Sequence, residues 1–552
     1  MSDASKNLYE AILQQISAAA SGGAPSPTLP PARASAAVVP WRRRDEGGIE
    51  VFWIQRAETL QFMGGWHAFP GGALSRSDAA VPVAGSPIGS PTGAGSAAAP
   101  AAGLPESLRD DLTGPDLPPG ILACAVRELF EETGLLLATP ATSRAPQELA
   151  DLAEARRALL ASEHPFAELL AGLGRTADAS RLVWAGRWMT PPFAPLRFDN
   201  RFFLLEWPRQ EPVQPTVLPG ECAAGEWIEP GAAWQRWRRG EVLAAPPILH
   251  ILEVLAENGP AAHGLERLRD PAETNLGPLR RVEMRPGVVM FPLLTHTLPP
   301  AATTNTYLVG HGEAVLVDPG SSLEVENDRL ERALAAAADQ LGRRVTAIWL
   351  THHHPDHVGG VERLRAALGV PVLAHPRTAE RLAGRIRIDG ELEDGQRVTL
   401  AGDPPCTVRI VHTPGHARGH LCFFVEEDGS LLAGDLVAGI GMIVIDPPEG
   451  DMDDYLASLQ KLLDLAPRTL FPAHGPVVKD GAGKLREYIE HRLWREERIV
   501  TAWNAGLRQP REMLPTVYDD VPKEAHGLAE RQILAHLERL RRRGRLPGEP
   551  AA

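Results

Sequence analysis

Cysteine is scarce: four in 552 residues (Cys124, Cys222, Cys406 and Cys422), far apart and never in CxxC spacing. That argues against both a disulfide framework and a cysteine-bound metal, and a reducing cytoplasm fits best. Long apolar runs are missing as well. No stretch approaches the roughly 18 consecutive apolar residues of a membrane helix, and the N-terminus carries Asp3 and Glu10 without an apolar core, so neither a membrane span nor export is expected. Positive charge is in deficit. The net charge of -14 argues against a broadly basic, nucleic-acid-coating surface, although it leaves room for a local patch. What remains is ordinary globular material, 44% apolar and 23% charged, in a chain too long for one hydrophobic core.

Composition divides the chain. LYEAILQQISAAA (residues 8–20) has a weak helical pattern and SGGAPSPTLPPARAS follows as a linker, so residues 1–35 precede the folded part. A first domain is expected over 36–262. Inside it, residues 83–105 are almost pure Ala, Gly, Ser and Pro and read as a disordered insertion, because such sequence cannot bury enough apolar surface to offset its ordering entropy. Residues 263–284 read as a linker, 285–478 as a second domain that opens with the β-like VVMFPLL, and 479–552 as a small module of helical patterns only.

The second domain holds THHHPDHVGG, with four histidines and an aspartate in seven residues. The cluster follows an apolar β-run, AIWL, and precedes a helical VERLRAAL, which puts it on the loop leaving a strand. Imidazoles and a carboxylate are ligands for zinc or a similar divalent ion. Downstream come HTPGHARGH (412–420), LLAGDLV with Asp435, and FPAHGP with His474; upstream is the Asp318-Pro319-Gly320 turn. In this order the segments resemble the metallo-β-lactamase superfamily. The resemblance implies that His352, His354 and His416 hold one metal, that Asp356, His357 and His474 hold the second, and that Asp435 bridges both. It also implies an αββα fold with two Zn²⁺ (or Mn²⁺/Fe²⁺) activating water for hydrolysis, with Asp356 among the catalytic residues. Of the other histidines, His353 is expected to face the scaffold, His412 and His420 to orient the site or contact substrate, and His375 to be structural.

TNTYLVG, HTPGH, the run from Asp446 through DMDDYLASLQKLL, PAHGPVV and EYIEHRLWREERI resemble more narrowly the metallo-β-lactamase-like endoribonucleases with a C-terminal winged helix, over roughly residues 285–552. HLERLRRRGRL carries Arg539, Arg541, Arg542, Arg543 and Arg545, which could grip the phosphates of single-stranded RNA. A solvated last helical turn, where arginines complement the helix dipole, explains them equally well.

In the first domain, RELFEETGL (127–135) places Glu128, Glu131 and Glu132 at i, i+3 and i+4, so three carboxylates share one helix face. Such a set needs a hard cation, Mg²⁺ or Mn²⁺. The stretch, preceded by GGWHAFPGG, resembles the Nudix box. By that resemblance the domain is an α/β/α sandwich that cuts diphosphates linked to a nucleoside. Glu131 and Glu132 would ligate metal, Glu128 would ligate metal or act as base, and Arg127 would orient the glutamates. One departure is plain: the box has a glutamate six residues after its first glycine and about seven before its arginine, whereas here Asp78 holds the first spacing and 48 residues lie between it and Arg127. A long insertion of this kind occurs in the branch that includes coenzyme A diphosphatases. Glu221 and Glu226 are candidates for an additional acid.

The expectation is thus a multidomain α/β fusion of two metal-dependent hydrolases. The first acts on a small-molecule nucleoside diphosphate derivative resembling coenzyme A, or binds such a nucleotide as a regulatory module. The second is endoribonuclease-like or, alternatively, a thioesterase of the glyoxalase II kind acting on an acyl thioester.

Overall fold

The computed structural model describes residues 32–60, 63–89, 117–142, 145–190, 197–270, 282–298, 301–521 and 523–546. The helix expected over 8–20 and most of the insertion expected over 83–105 lie outside them. The chain forms two compact units that divide at Gly287.

The first unit is a layered sandwich. Its central strand, Arg33–Arg43, is an apolar run because both of its faces are covered. Ala36 and Val38 join a core with the helix Ile121–Thr133, whereas Ala37, Val39 and Trp41 join a second core with Pro246–Asn258. The spatial order is Cys222–Ile228, Ile49–Arg56, Arg33–Arg43, Phe198–Glu206, Val183–Met189, with Arg33–Arg43 parallel to Phe198–Glu206. Gly71–Ala73 pairs with the start of the central strand, which brings the Gly71-Gly72 turn against the helix Ile121–Thr133.

The linker expected over 263–284 is corrected at both ends. Ala262–Arg269 is a helix whose Leu268 is fully buried, and Arg269 Nε donates to Trp184 O at 2.8 Å. The i, i+3 pair Leu265 and Leu268 supplies the apolar stripe that docks it. Val282–Arg285 is a buried strand, with Trp237 Nε1 donating to Met284 O at 3.0 Å. At the near edge of the expected insertion, Val83–Ala84 pairs with Thr176–Asp178.

The second unit has two sheets. One runs Val288–Leu294, Thr303–Val309, Glu313–Val317, Arg344–Trp349, Val372–Ala374, Gly390–Glu391; the other runs Arg397–Leu400, Cys406–His412, Leu421–Val425, Ser430–Gly434, Thr469–Pro472. They meet through aromatic contacts such as Trp349 with Phe423 at 5.3 Å and Tyr307 with Phe471 at 5.8 Å. Helices Glu324–Leu341 and Val361–Leu368 pack on the first sheet. Met452–Leu463 and the start of Gly481–Asn504 cover the second through Tyr455, Leu459, Leu462 and Leu485. The rest of Gly481–Asn504 builds a separate small core with Pro510–Val517 and His526–Arg542, centred on Trp503, Met513, Ile533 and Leu537.

Candidate functional site

Every candidate ligand of the second unit lies beyond the C-terminal end of a strand, on the loop that leaves it or, for Asp356 and His357, in the short helix Pro355–Val358 that follows. His352, His354, Asp356 and His357 follow Arg344–Trp349; His416, Asp435 and His474 follow Cys406–His412, Ser430–Gly434 and Thr469–Pro472. The loops need close backbone approach: a Cβ on Gly320 would lie 1.8 Å from Asp356 O.

All seven residues come together. His352, His354, His416 and Asp435 each offer a ligand atom within 4.8 Å of the others, and so do Asp356, His357 and His474. His354 Nδ1 lies 2.9 Å from His352 Nε2 and 3.0 Å from His416 Nε2. Asp435 stands between the groups, 3.4 Å from His357 Nε2, 3.3 Å from His474 Nε2 and 3.5 Å from His416 Nε2.

The chemistry of this donor set fits divalent ions. Burial, reinforced by neighbouring imidazoles, keeps His352 and His354 uncharged, His354 down to about 3, so each ring retains a nitrogen lone pair for a cation. His357 Nε2 and Asp435 Oδ1 are buried and lack a geometrically sound hydrogen-bond partner. Such atoms are costly to bury unless a cation satisfies them.

The opposite edges of the rings are fixed. Asp318 Oδ2 accepts from His357 Nδ1 at 2.8 Å and from the Thr351 hydroxyl at 2.5 Å, while Asp318 Oδ1 accepts from Thr351 N. His416 Nδ1 donates to Val444 O at 2.8 Å, and His474 Nδ1 to Thr303 O at 3.0 Å. Each bond leaves Nε2 facing the centre, the arrangement by which outer partners set tautomer and orientation.

Asp318 and Thr351 were missing from the sequence-based ligand set because their partners lie 33 and 39 positions away. The one local signal is the Asp318-Pro319-Gly320 turn itself; Asp318 directly follows the strand Glu313–Val317 and has a φ of 50°. His420 is buried and bonded on both edges, to the Thr413 hydroxyl at 2.8 Å and to Asp435 N at 3.0 Å, so it shapes the loop that carries Asp435. His412 stacks on His375 at 4.1 Å and reaches Arg418 O at 2.9 Å.

The arginines expected to contact substrate are engaged elsewhere. Arg539 is buried and bound to Glu496 and Asp453. Arg542 pairs with Asp451 and Asp453, Arg543 with Asp453, and Arg545 with Glu496 and Glu497. Arg541 lies over Trp503 at 6.0 Å. Arg539, Arg542 and Arg543 thus tie the last helix to the N-terminal turn of Met452–Leu463, while Arg539 and Arg545 tie it to Gly481–Asn504; the side chains of Arg542 and Arg543 stay about half exposed.

In the first unit the interrupted box closes in space. Arg127 donates to both carboxylate oxygens of the buried Asp78, at 2.7 and 2.9 Å, and its Nη1 reaches Glu128 at 2.8 Å and Glu131 at 2.9 Å. Glu132 accepts from Gly71 N at 2.7 Å and lies 3.5 Å from Cys222 Sγ. A Cβ on Gly72 would fall 2.5 Å from the Glu128 carboxyl carbon, so the glycine turn walls the acids in. Burial pushes Glu128 up to about 7 and Glu132 up to about 8. Glu221 adds negative potential at Glu128 and Glu131, whereas Glu226 is bound away to Trp53 at 3.2 Å and Arg236 at 2.5 Å. Among the described residues, the groups with convergent ligand atoms are the two in the second unit.

Residues 300–474 match the metallo-β-lactamase superfamily, 18–255 the NUDT19 Nudix domain, and 510–547 the β-lactamase-associated winged helix domain. A β-lactamase-like protein 2 homolog of Drosophila melanogaster is 33% identical over 259 residues, covering 44% of this chain and 84% of its own. An atrochrysone carboxyl ACP thioesterase of Aspergillus chevalieri is 34% identical over 231 residues, 42% of this chain and 70% of its own. A solved Nudix hydrolase from Alicyclobacillus acidocaldarius is 31% identical, covers 43% of this chain and 96% of that one, and has a TM-score of 0.32.

Proposed function

The chain belongs to the metallo-β-lactamase superfamily, joined to a Nudix domain and a β-lactamase-associated winged helix, and on that premise we propose that its second domain hydrolyses acyl thioesters while the first cuts the diphosphate of a nucleoside derivative such as coenzyme A. In the second domain His352, His354 and His416 would hold one divalent ion, Asp356, His357 and His474 another, and Asp435 both. When bound, such ions lower the proton affinity of water and stabilise charge on the attacked group. The imidazole-rich set suits zinc and also accepts manganese or iron. Asp318, Val444 O and Thr303 O keep Nε2 of His357, His416 and His474 turned inward. Asp356, with a side chain 14% exposed, is the least buried acid of the set and would orient the incoming water.

One observation carries the choice of substrate. A cleft of about 300 Å³ opens at Asp356, lined by His296, Val358, Glu362, Leu382, Arg385 and Ile386. Its apolar wall suits an acyl chain. Arg385, which donates to Arg381 O and pairs with no carboxylate among the described residues, suits a carrier phosphate. The likeness to a named thioesterase points the same way.

RNA cleavage is the second reading, on one feature: Trp494 is 44% exposed and flanked by Arg495 and Arg498 at 4.5 and 4.9 Å, an aromatic platform of the kind that stacks bases. In the first domain Glu128, Glu131 and Glu132 would hold Mg²⁺ or Mn²⁺ against the diphosphate.

The deciding experiment gives acyl-CoA, single-stranded RNA, and coenzyme A with Mg²⁺ to the protein and to an Asp356→Ala/His357→Ala variant. Thioester turnover that disappears in the variant while coenzyme A cleavage persists is the expected result. RNA cleavage lost in the variant and in Trp494→Ala, with no thioester turnover, would replace this reading with the second.

A further inference from the structure

The segment Ala438 to Asp446 has neither helix nor strand, yet it touches both halves of the histidine centre. Gly439 N donates to His474 O at 2.7 Å, and Val444 O accepts from His416 Nδ1 at 2.8 Å. Its backbone is held in turn by the C-terminal helices. The Tyr488 hydroxyl bonds Ala438 N at 3.1 Å and Ala438 O at 3.2 Å. Arg492 Nη2 donates to Ile443 O at 2.6 Å, Gln532 Nε2 donates to Ile445 O at 3.4 Å, and Arg492 Nη1 donates to Gln532 Oε1 at 2.7 Å.

Arg492 and Gln532 are 2% and 0% exposed, so water cannot replace these bonds. A buried guanidinium normally needs a carboxylate, and among the described residues Arg492 has none. Its directed bonds go instead to a carbonyl next to the His416 acceptor and to the amide that holds the carbonyl on the other side.

We propose that Arg492 and Gln532 are positioning residues for His416. By fixing Ile443 and Ile445 they fix Val444 O between them, and with it the angle at which His416 Nε2 meets His352 and His354. The C-terminal helices thereby set the divalent-cation affinity of one group of the pair. The inference rests on reading His416 as a ligand.

The test titrates metal-free full-length protein with Zn²⁺ against a competing chromophoric chelator, alongside thermal melting. Gln532→Leu and Arg492→Gln should each weaken one of two zinc sites about 10- to 100-fold and leave the other unchanged. Arg492→Lys, which can still reach Ile443 O, should recover part of the loss. Val517→Ala removes side-chain volume from the helical core without touching the segment and should keep both affinities at a comparable drop in melting temperature. Unchanged zinc binding in Gln532→Leu, or an equal loss in Val517→Ala, overturns the inference. His416→Ala separates the two levels. If it too binds two zinc ions normally, the ligand reading fails; if it loses one while Gln532→Leu keeps both, the positioning role alone fails.

Discussion

Asp78 and Arg127 stand 49 positions apart and meet through two hydrogen bonds, Nε to Oδ1 at 2.7 Å and Nη2 to Oδ2 at 2.9 Å. The same guanidinium holds Glu128 and Glu131, so the placement of two acids depends on a residue from beyond the insertion. Asp78→Asn removes the charge from a fully buried partner, a loss of about 3 kcal/mol to the first unit. Cleavage of coenzyme A should fall with it, while metal binding at the histidine centre stays unchanged. Parallel assays and calorimetry check both.

Glu131→Gln distinguishes a catalytic first domain from a nucleotide-sensing one. The carboxylate faces Arg127 and is 19% exposed, open enough to meet a cation. Catalysis predicts loss of phosphate-monoester product with substrate binding within a few fold of wild type. Equal product from both proteins would show that turnover does not use this acid.

Asp318→Asn should act on the metal site proposed at Asp356, His357 and His474. The amide would no longer present a charged acceptor to His357 Nδ1, so the ring could turn its donor edge toward the centre. About a 10- to 100-fold loss of zinc affinity is expected at one site. Zinc stoichiometry by elemental analysis after dialysis reads it directly.

Asp451 caps Met452–Leu463 through Asp453 N and Asp454 N and pairs with Arg542. Partial burial raises its pKa, but the Arg542 bond and the backbone amides outweigh this and hold it below the usual aspartate value. Its stabilising contribution is therefore complete above the ordinary aspartate pKa of about 4 and fades as pH falls through the depressed value. Asp451→Ala should lower stability by about 1 kcal/mol at neutral pH, the worth of a lost cap. The gap in melting temperature between wild type and variant should hold from pH 8 to about 5 and narrow below about 4.

All four cysteines are buried and unpaired. Burial pushes Cys406 and Cys422 up to about 12, and Cys124 and Cys222 further. A disulfide reagent at pH 8 should titrate none of them in the native protein and four after unfolding.

Much of the site could be read in the chain because metal chemistry leaves local marks. Four candidate ligands fall within six residues from His352 to His357, and His416, Asp435 and His474 each follow closely on a β-run that announces its loop. The glutamates of Ile121–Thr133 share a face by helical period alone. What could not be read was long-range pairing. Nothing near Arg539 signals that it bonds Glu496, 43 positions earlier, so the ion pairs of this arginine run are visible only once the partner helix is in place. The helix Ala262–Arg269 was passed over for a different reason: eight residues with two apolar anchors give too short a period to stand out from a linker.

The ligand atoms of the histidine centre come from two sheets. His352, His354, Asp356 and His357 belong to the end of one, and His416, Asp435 and His474 to the ends of strands in the other. An ångström of shear between the sheets would spoil both groups together. Metal bound at the centre as proposed would therefore work as a cross-link, its binding free energy reappearing as resistance to opening. On zinc addition, amide exchange in Arg344–Trp349 and in Ser430–Gly434 should slow in step, as if the two sheets had become one cooperative body.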